Sequence, residues 1–239
     1  MSYTTTKYAA IVIVIATAFA AVGCGSRPGI PDGIRPTRVV VDDLGRRVTV
    51  PTNVERVVSL APSITENVFA VGAGERLVGV TTFCNYPDQA RSIAKIGDTM
   101  NPNMEAIVAL KPDVVLVSTA SQIEAFTKTL EQNGVAVYVT DPRSLDGVFK
   151  SLGGLGGLLG TDAVVEKLLP KLRERVDSVT RSVAGEPRSR AFVQVSREPL
   201  FTIGKGAFLN DVIEMAGGVS VTADVETAFP RLKIGRAHV

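Results

Sequence analysis

The side chains that ordinarily make and break bonds are scarce in this sequence. It holds two cysteines, Cys24 and Cys84, and one histidine, His238. A zinc site needs clustered Cys, His or carboxylate ligands, and these residues offer no such spacing. A Ser-His-Asp set would have to draw its base from His238, beside the last residue. Two glycine-rich stretches invite a nucleotide-binding interpretation. In Gly153-Gly154-Leu155-Gly156-Gly157-Leu158-Leu159-Gly160 the glycines miss the G-x-G-x-x-G spacing and sit inside a helical pattern, which points to close helix packing. Gly204-Lys205-Gly206 precedes a helix whose N–H groups could cradle an anion, yet no Lys-Ser or Lys-Thr pair follows. It is expected as a ligand-facing loop at the mouth of a second lobe. No catalytic residue, metal site or cofactor is predicted.

Cys24 suits a different chemistry. Residues 1–23 join a polar start bearing Lys7 to an apolar run from Ala9 to Gly23. That run is shorter than the roughly 20 residues that span a bilayer and suits a signal peptide. Ala21-Val22-Gly23-Cys24 resembles a bacterial lipobox, with Ala21 where Leu is usual. Diacylation at Cys24 would anchor the chain to a membrane, each buried methylene contributing about 0.8 kcal/mol. The Pro- and Gly-rich segment 24–36 is then a tether, and Cys84 has no partner for an intrachain disulfide. At the other end, Ile234-Gly235-Arg236-Ala237-His238-Val239 resembles the translation of a common sequencing adapter. The last residues are therefore expected not to be native and the second lobe to be incomplete, and no chemistry is drawn from His238.

The elements that must position any site follow from the apolar pattern. A net charge of +2 without basic or acidic blocks implies no nucleic-acid partner. Arg38 to Pro51 holds two β-prone runs around Gly45, a hairpin signal. Continuous apolar runs at 56–61, 77–82, 113–119 and 135–140 predict strands buried on both faces of a parallel sheet. Between them, Ser63-Ile64-Thr65-Glu66 and Ser121-Gln122-Ile123-Glu124 have capping-box spacing, 103–110 is a short helix, and Asn133-Gly134 is a stop. Segment 144–185 is helical, with Pro170 expected to kink or interrupt it. A strand at 190–196 and a helix at 208–216, ended by Gly217-Gly218, open a second lobe. The prediction is an α/β protein of two Rossmann-like lobes, 37–143 and 186–239, joined by a long connecting helix within 144–185.

Several stretches resemble the periplasmic binding proteins of ABC importers for cobalamin and ferric siderophores, the cobalamin-binding branch above all. They are Arg56 to Glu66, Leu77 to Pro87, Asn103 to Val115 and Phe208 to Gly218. The resemblance implies a ligand cleft between the lobes, with little lobe closure because a helical connector resists bending. It implies ligand contacts at Pro62, Ser63, Phe83, Tyr86 and Phe229, while Thr99 stands where the family has a further aromatic. It implies that Glu105 docks on permease arginines, the second docking Glu falling at Gly235. Cys84 either approaches a ligand metal or is a buried, inert thiol. The implied function is an exported, lipid-anchored receptor that captures cobalamin, a ferric siderophore or haem and delivers it to a permease with its ATPase. A receptor for a bare metal ion is one alternative; an extracytoplasmic enzyme or envelope interaction module on the same scaffold is another.

Overall fold

Strands of unbroken apolar character need cover on both faces, and the first lobe supplies it. In the computed structural model the described residues are 35–119 and 123–232, the side chains of 123–126 excepted. The predicted signal peptide, Cys24, most of the tether, Ser121 and the tail with Gly235 and His238 lie outside the described residues. Strands β3 (Val57–Ser59), β4 (Leu77–Val80), β5 (Val114–Ser118) and β6 (Ala136–Thr140) form a sheet in the order β4-β3-β5-β6, parallel at every pairing. Alternate residues serve opposite faces. Val57, Val114, Leu116 and Tyr138 pack with Ile64 and Val68 of α1 (Pro62–Ala70) and with Leu152, Leu155 and Leu158 of α4 (Leu145–Leu159). Val58, Val115, Val117, Val137 and Val139 pack with Ile107 of α2 (Met104–Ala109) and Leu130 of α3 (Ile123–Gln132).

Two local expectations are corrected. Helix α1 begins at Pro62, with Ala61 extended at the N-cap and no side-chain cap, so Ser63 lies inside the first turn. Proline's fixed φ suits the first helical position, and Thr65 turns its hydroxyl inward instead of capping. The connecting segment is two helices, α4 and α5 (Asp162–Ser182), parted at Gly160 in the left-handed conformation at φ 64°. Pro170 lies within α5 without ending it. The glycine run of α4 does serve close packing. A Cβ at Gly154 would stand 2.6 Å from the Tyr138 hydroxyl, and one at Gly156 would stand 2.5 Å from Val165 of α5.

The predicted hairpin, β1 (Thr37–Val41) and β2 (Arg47–Pro51), covers the outer edge of β6. The Asp43 N–H donates to the Val139 carbonyl at 3.1 Å, and the Val139 N–H donates to the Asp42 carboxylate at 3.3 Å. Arg46 donates to the Val137 carbonyl at 3.1 Å, and the Asp141 N–H to the Asp43 carboxylate at 2.9 Å. One turn thus occupies the outward polar groups that an edge strand would otherwise offer to another chain. At the C-terminus of α4, Arg38 donates to the carbonyls of Gly157 and Leu158 at 2.9 and 2.7 Å, and Arg76 to that of Leu159. Cations there complement the helix dipole.

The second lobe comprises β7 (Ser189–Ala191), α6 (Phe208–Met215) and β8 (Gly218–Ser220), with β7 and β8 parallel. The strand predicted to reach 196 stops at Ala191. Beyond it the chain folds back on itself, the Val195 N–H donating to the Phe201 carbonyl at 2.8 Å and the Thr202 hydroxyl to the Val193 carbonyl at 2.8 Å. Helix α6 ends as expected at Gly217, φ 76°, and packs against α4 and α5.

Candidate functional site

In an open parallel sheet, ligands gather at the carboxyl ends of the strands, where the strand order reverses. Here that place lies between β3 and β5, and the first-lobe candidates collect beside it. Pro62 and Ser63 follow β3, and Phe83 and Tyr86 follow β4. Thr99 sits in the next loop, which the Thr82 N–H ties to the β4 end by donating to the Gly97 carbonyl at 2.9 Å. Phe83 is 61% exposed and Tyr86 67%, so large apolar surface faces water on loops that are otherwise firmly held.

Hydrogen bonds hold these loops. The Lys95 ammonium donates to the carbonyls of Cys84 and Ala90, each at 2.9 Å, closing the loop that carries Tyr86. Beneath Phe83, Cys84 packs in the core, so the inert-thiol alternative describes its surroundings. In the third loop, Asp98 accepts the N–H groups of Asn101 at 2.6 Å and Met100 at 2.7 Å. Those two bonds, Asn101 first, hold its carboxyl below the usual carboxylate range. The turn leaves Thr99 half-buried and Met100 49% exposed. Met100 is the apolar surface that the sequence did not reveal; only the neighbouring Asp and Asn, good turn formers, signalled a fixed loop.

Phe229 stands in the second lobe and is 55% exposed. Its segment is pinned by the Gly204 N–H to the Ala228 carbonyl at 2.8 Å and the Thr202 N–H to the Pro230 carbonyl at 3.1 Å. The Gly204-Lys205-Gly206 loop is not an open anion cradle. Gly204 lies under the carbonyls of Val225 and Thr227, the Lys205 N–H donates to the Val225 carbonyl, and the Lys205 ammonium pairs with Glu226 at 2.9 Å. Glu105 is exposed in the first turn of α2, where the helix dipole favours an acid. Among the described residues, no group of three or more His, Cys, Asp or Glu converges as a metal site would require.

Such loops can present apolar contact to a flat or bulky solute, with few polar groups to orient it. Residues 57–236 match the periplasmic binding protein family. The chain belongs to that family. The vitamin B12-binding protein of Vibrio cholerae serotype O1 is 30% identical over 189 residues, covering 79% of this chain and 68% of its own length. An uncharacterized ABC transporter substrate-binding lipoprotein, YvrC of Bacillus subtilis, is 31% identical over 194 residues, 78% of this chain and 62% of its own. The crystal structure of periplasmic vitamin B12-binding protein BtuF of Vibrio cholerae superposes with a TM-score of 0.69 at 29% identity, over 77% of this chain and 72% of that one. The two-lobe α/β expectation therefore holds, and this member of a substrate-binding family is not an enzyme.

Proposed function

We propose that the protein captures a cobalt corrinoid in the cell envelope and delivers it to an ABC permease with its ATPase. The observation that carries this is the pair of exposed aromatics, Phe83 and Tyr86, on fixed loops at the carboxyl edge of the sheet. Flat aromatic faces give a macrocycle wide apolar contact at small entropic cost. The family resemblance adds Pro62, Ser63 and Thr99 as further contacts beside those rings, and Phe229 as a contact from the second lobe. Similarity to vitamin B12-binding proteins supports the assignment. Cys24 is the proposed site of diacylation, supported by its lipobox-like setting and by the relative named as a lipoprotein. Glu105 is the proposed permease contact.

A ferric chelate is the second candidate. Thr99 replaces an aromatic of the cobalamin type, and a possible iron-binding (periplasmic solute-binding) protein from Staphylococcus epidermidis superposes with a TM-score of 0.67 at 28% identity, over 77% of this chain and 72% of that one. Calorimetric titration with cyanocobalamin, haemin and a ferric hydroxamate separates the two. Saturable cyanocobalamin binding that weakens about tenfold or more in Phe83→Ala is the expected result, since buried aromatics commonly carry well over 1 kcal/mol of binding. Binding of the hydroxamate alone would transfer the assignment to ferric chelates, and silence from all three would discard it.

A further inference from the structure

Directly behind the exposed aromatics lie four small polar side chains, each sealed from water. Ser59 closes β3, Thr65 lies in α1, Thr81 follows β4, and Cys84 follows Phe83; none is more than 1% exposed. Thr65 Oγ1 lies 2.9 Å from Ser59 Oγ, 3.2 Å from Cys84 Sγ and 3.2 Å from the Ala61 carbonyl. Thr81 Oγ1 lies 3.1 Å from Cys84 Sγ, and Ser59 Oγ lies 3.0 Å from the Ala61 carbonyl.

Each hydroxyl or thiol has a single proton to give. The Thr65 hydroxyl donates to Cys84 Sγ, the Cys84 thiol to Thr81 Oγ1, and the Ser59 hydroxyl to the Ala61 carbonyl. This order runs from α1 to the root of the Phe83 loop. Away from water, such a chain is electrostatically stronger than its members would be in solvent.

We infer that Thr65 and Cys84 are positioning residues, whose hydroxyl–thiol link holds the Phe83–Tyr86 loop and the first turn of α1, with Pro62 and Ser63, in one fixed relation for the ligand. Its consequence for affinity rests on the corrinoid assignment above. The link serves binding because exposed rings contribute most when no loop has to be ordered as the ligand arrives. It is also separable from the fold. Replacing Thr65 by valine keeps the shape and removes the hydroxyl that reaches Cys84 Sγ, Ser59 Oγ and the Ala61 carbonyl. Ser59 retains the Ala61 carbonyl, Cys84 retains the Thr81 hydroxyl, and the Thr65 N–H still donates to the Ala61 carbonyl at 3.0 Å in α1.

The test compares wild type, Thr65→Val, Thr65→Ser and Cys84→Ala by cyanocobalamin calorimetry and by amide hydrogen exchange. Thr65→Val should weaken binding about three- to tenfold, the share of one buried hydrogen bond. The hydrogen-bonded amides of Thr82 and Cys84 should exchange faster by a similar factor, with β5 and β6 unchanged. Thr65→Ser should restore both, and Cys84→Ala should resemble Thr65→Val. Wild-type affinity and exchange in Thr65→Val would overturn the inference, as would acceleration spread through the whole sheet. If the wild type binds no cyanocobalamin, the corrinoid assignment fails, and the loop exchange of Thr65→Val against Thr65→Ser alone decides the coupling.

Discussion

The two lobes use the same strand-helix-strand idiom and hold it together differently. In the first, sheet residues such as Val57, Val114, Val115 and Leu116 are wholly buried and covered by helices on both faces. In the second, Ile203, Ala207 and Pro230 are the buried apolar residues among those described, and hydroxyls take up much of the interior. Thr222 donates to the Ile203 carbonyl at 2.6 Å and lies 3.3 and 3.4 Å from the hydroxyls of Ser220 and Thr202. Apolar burial contributes roughly 25 cal/mol per Å², whereas a buried hydrogen bond nets only about 1 kcal/mol. The same topology is therefore expected to be locally more stable in the first lobe than in the second.

The sharpest way to break this contrast is a pair of core truncations. Leu155→Ala, beneath the first sheet, should lower the main urea transition by about 3 kcal/mol. Ile203→Ala, equally buried, should move that transition by less than about 1 kcal/mol, because the second lobe opens on its own. Equal shifts would show a single cooperative unit.

Next in size, loss of the strap over β6 should weaken the first lobe specifically. Asp42→Ala leaves the Val139 N–H and Arg46 Nε without their acceptor, at a cost of about 2 kcal/mol. It should also expose a strand edge, so sedimentation should detect self-association absent from wild type. A monomer at all concentrations would remove the protective role given to the hairpin. Hydrogen exchange offers a finer comparison: amides of β7 and β8 should exchange well before those of β3 and β5, and matched protection would contradict the ranking.

The smallest effect is expected at Tyr138. Its hydroxyl is buried without a hydrogen-bond partner among the described residues, so Tyr138→Phe should be neutral or stabilising by up to about 1 kcal/mol. Burial first, then the Asp43 and Asp42 carboxylates, push the phenol up from 10.0 to about 12. The unfolded chain releases that proton near its ordinary value while the folded chain still holds it. The stability linked to Tyr138 is thus whole below about pH 10 and drains away as pH rises toward about 12. Urea midpoints at neutral pH and in this alkaline window should fall less in Tyr138→Phe than in wild type; parallel losses would sink the idea.

Much of this organisation was legible from neighbours in the chain. The apolar runs marked all four central strands, Gly45, Gly134 and Gly217 marked stops, and the glycine run of α4 was correctly separated from nucleotide binding. The first turn of α1 was misread because Ser63-x-x-Glu66 fits a capping box, while Pro62, one residue earlier, can itself begin a helix. Pro170, expected to kink or interrupt the connector, does not interrupt α5; the break falls at Gly160, whose left-handed conformation ends α4.

The sequence by itself determined the α/β class, the order of elements and the loops that carry Phe83 and Tyr86, because hydrophobic period and turn chemistry act over a few residues. Only the tertiary structure decided which groups meet. Asp42 reaches Val139, Arg38 reaches the end of α4, and Thr65 reaches Cys84 across long stretches of sequence. The exposure of Met100 was likewise decided by a turn folded against its surroundings. Burial of a hydroxyl, a thiol or a carboxylate is tolerated only where a partner stands within hydrogen-bond reach, and local sequence does not contain that partner.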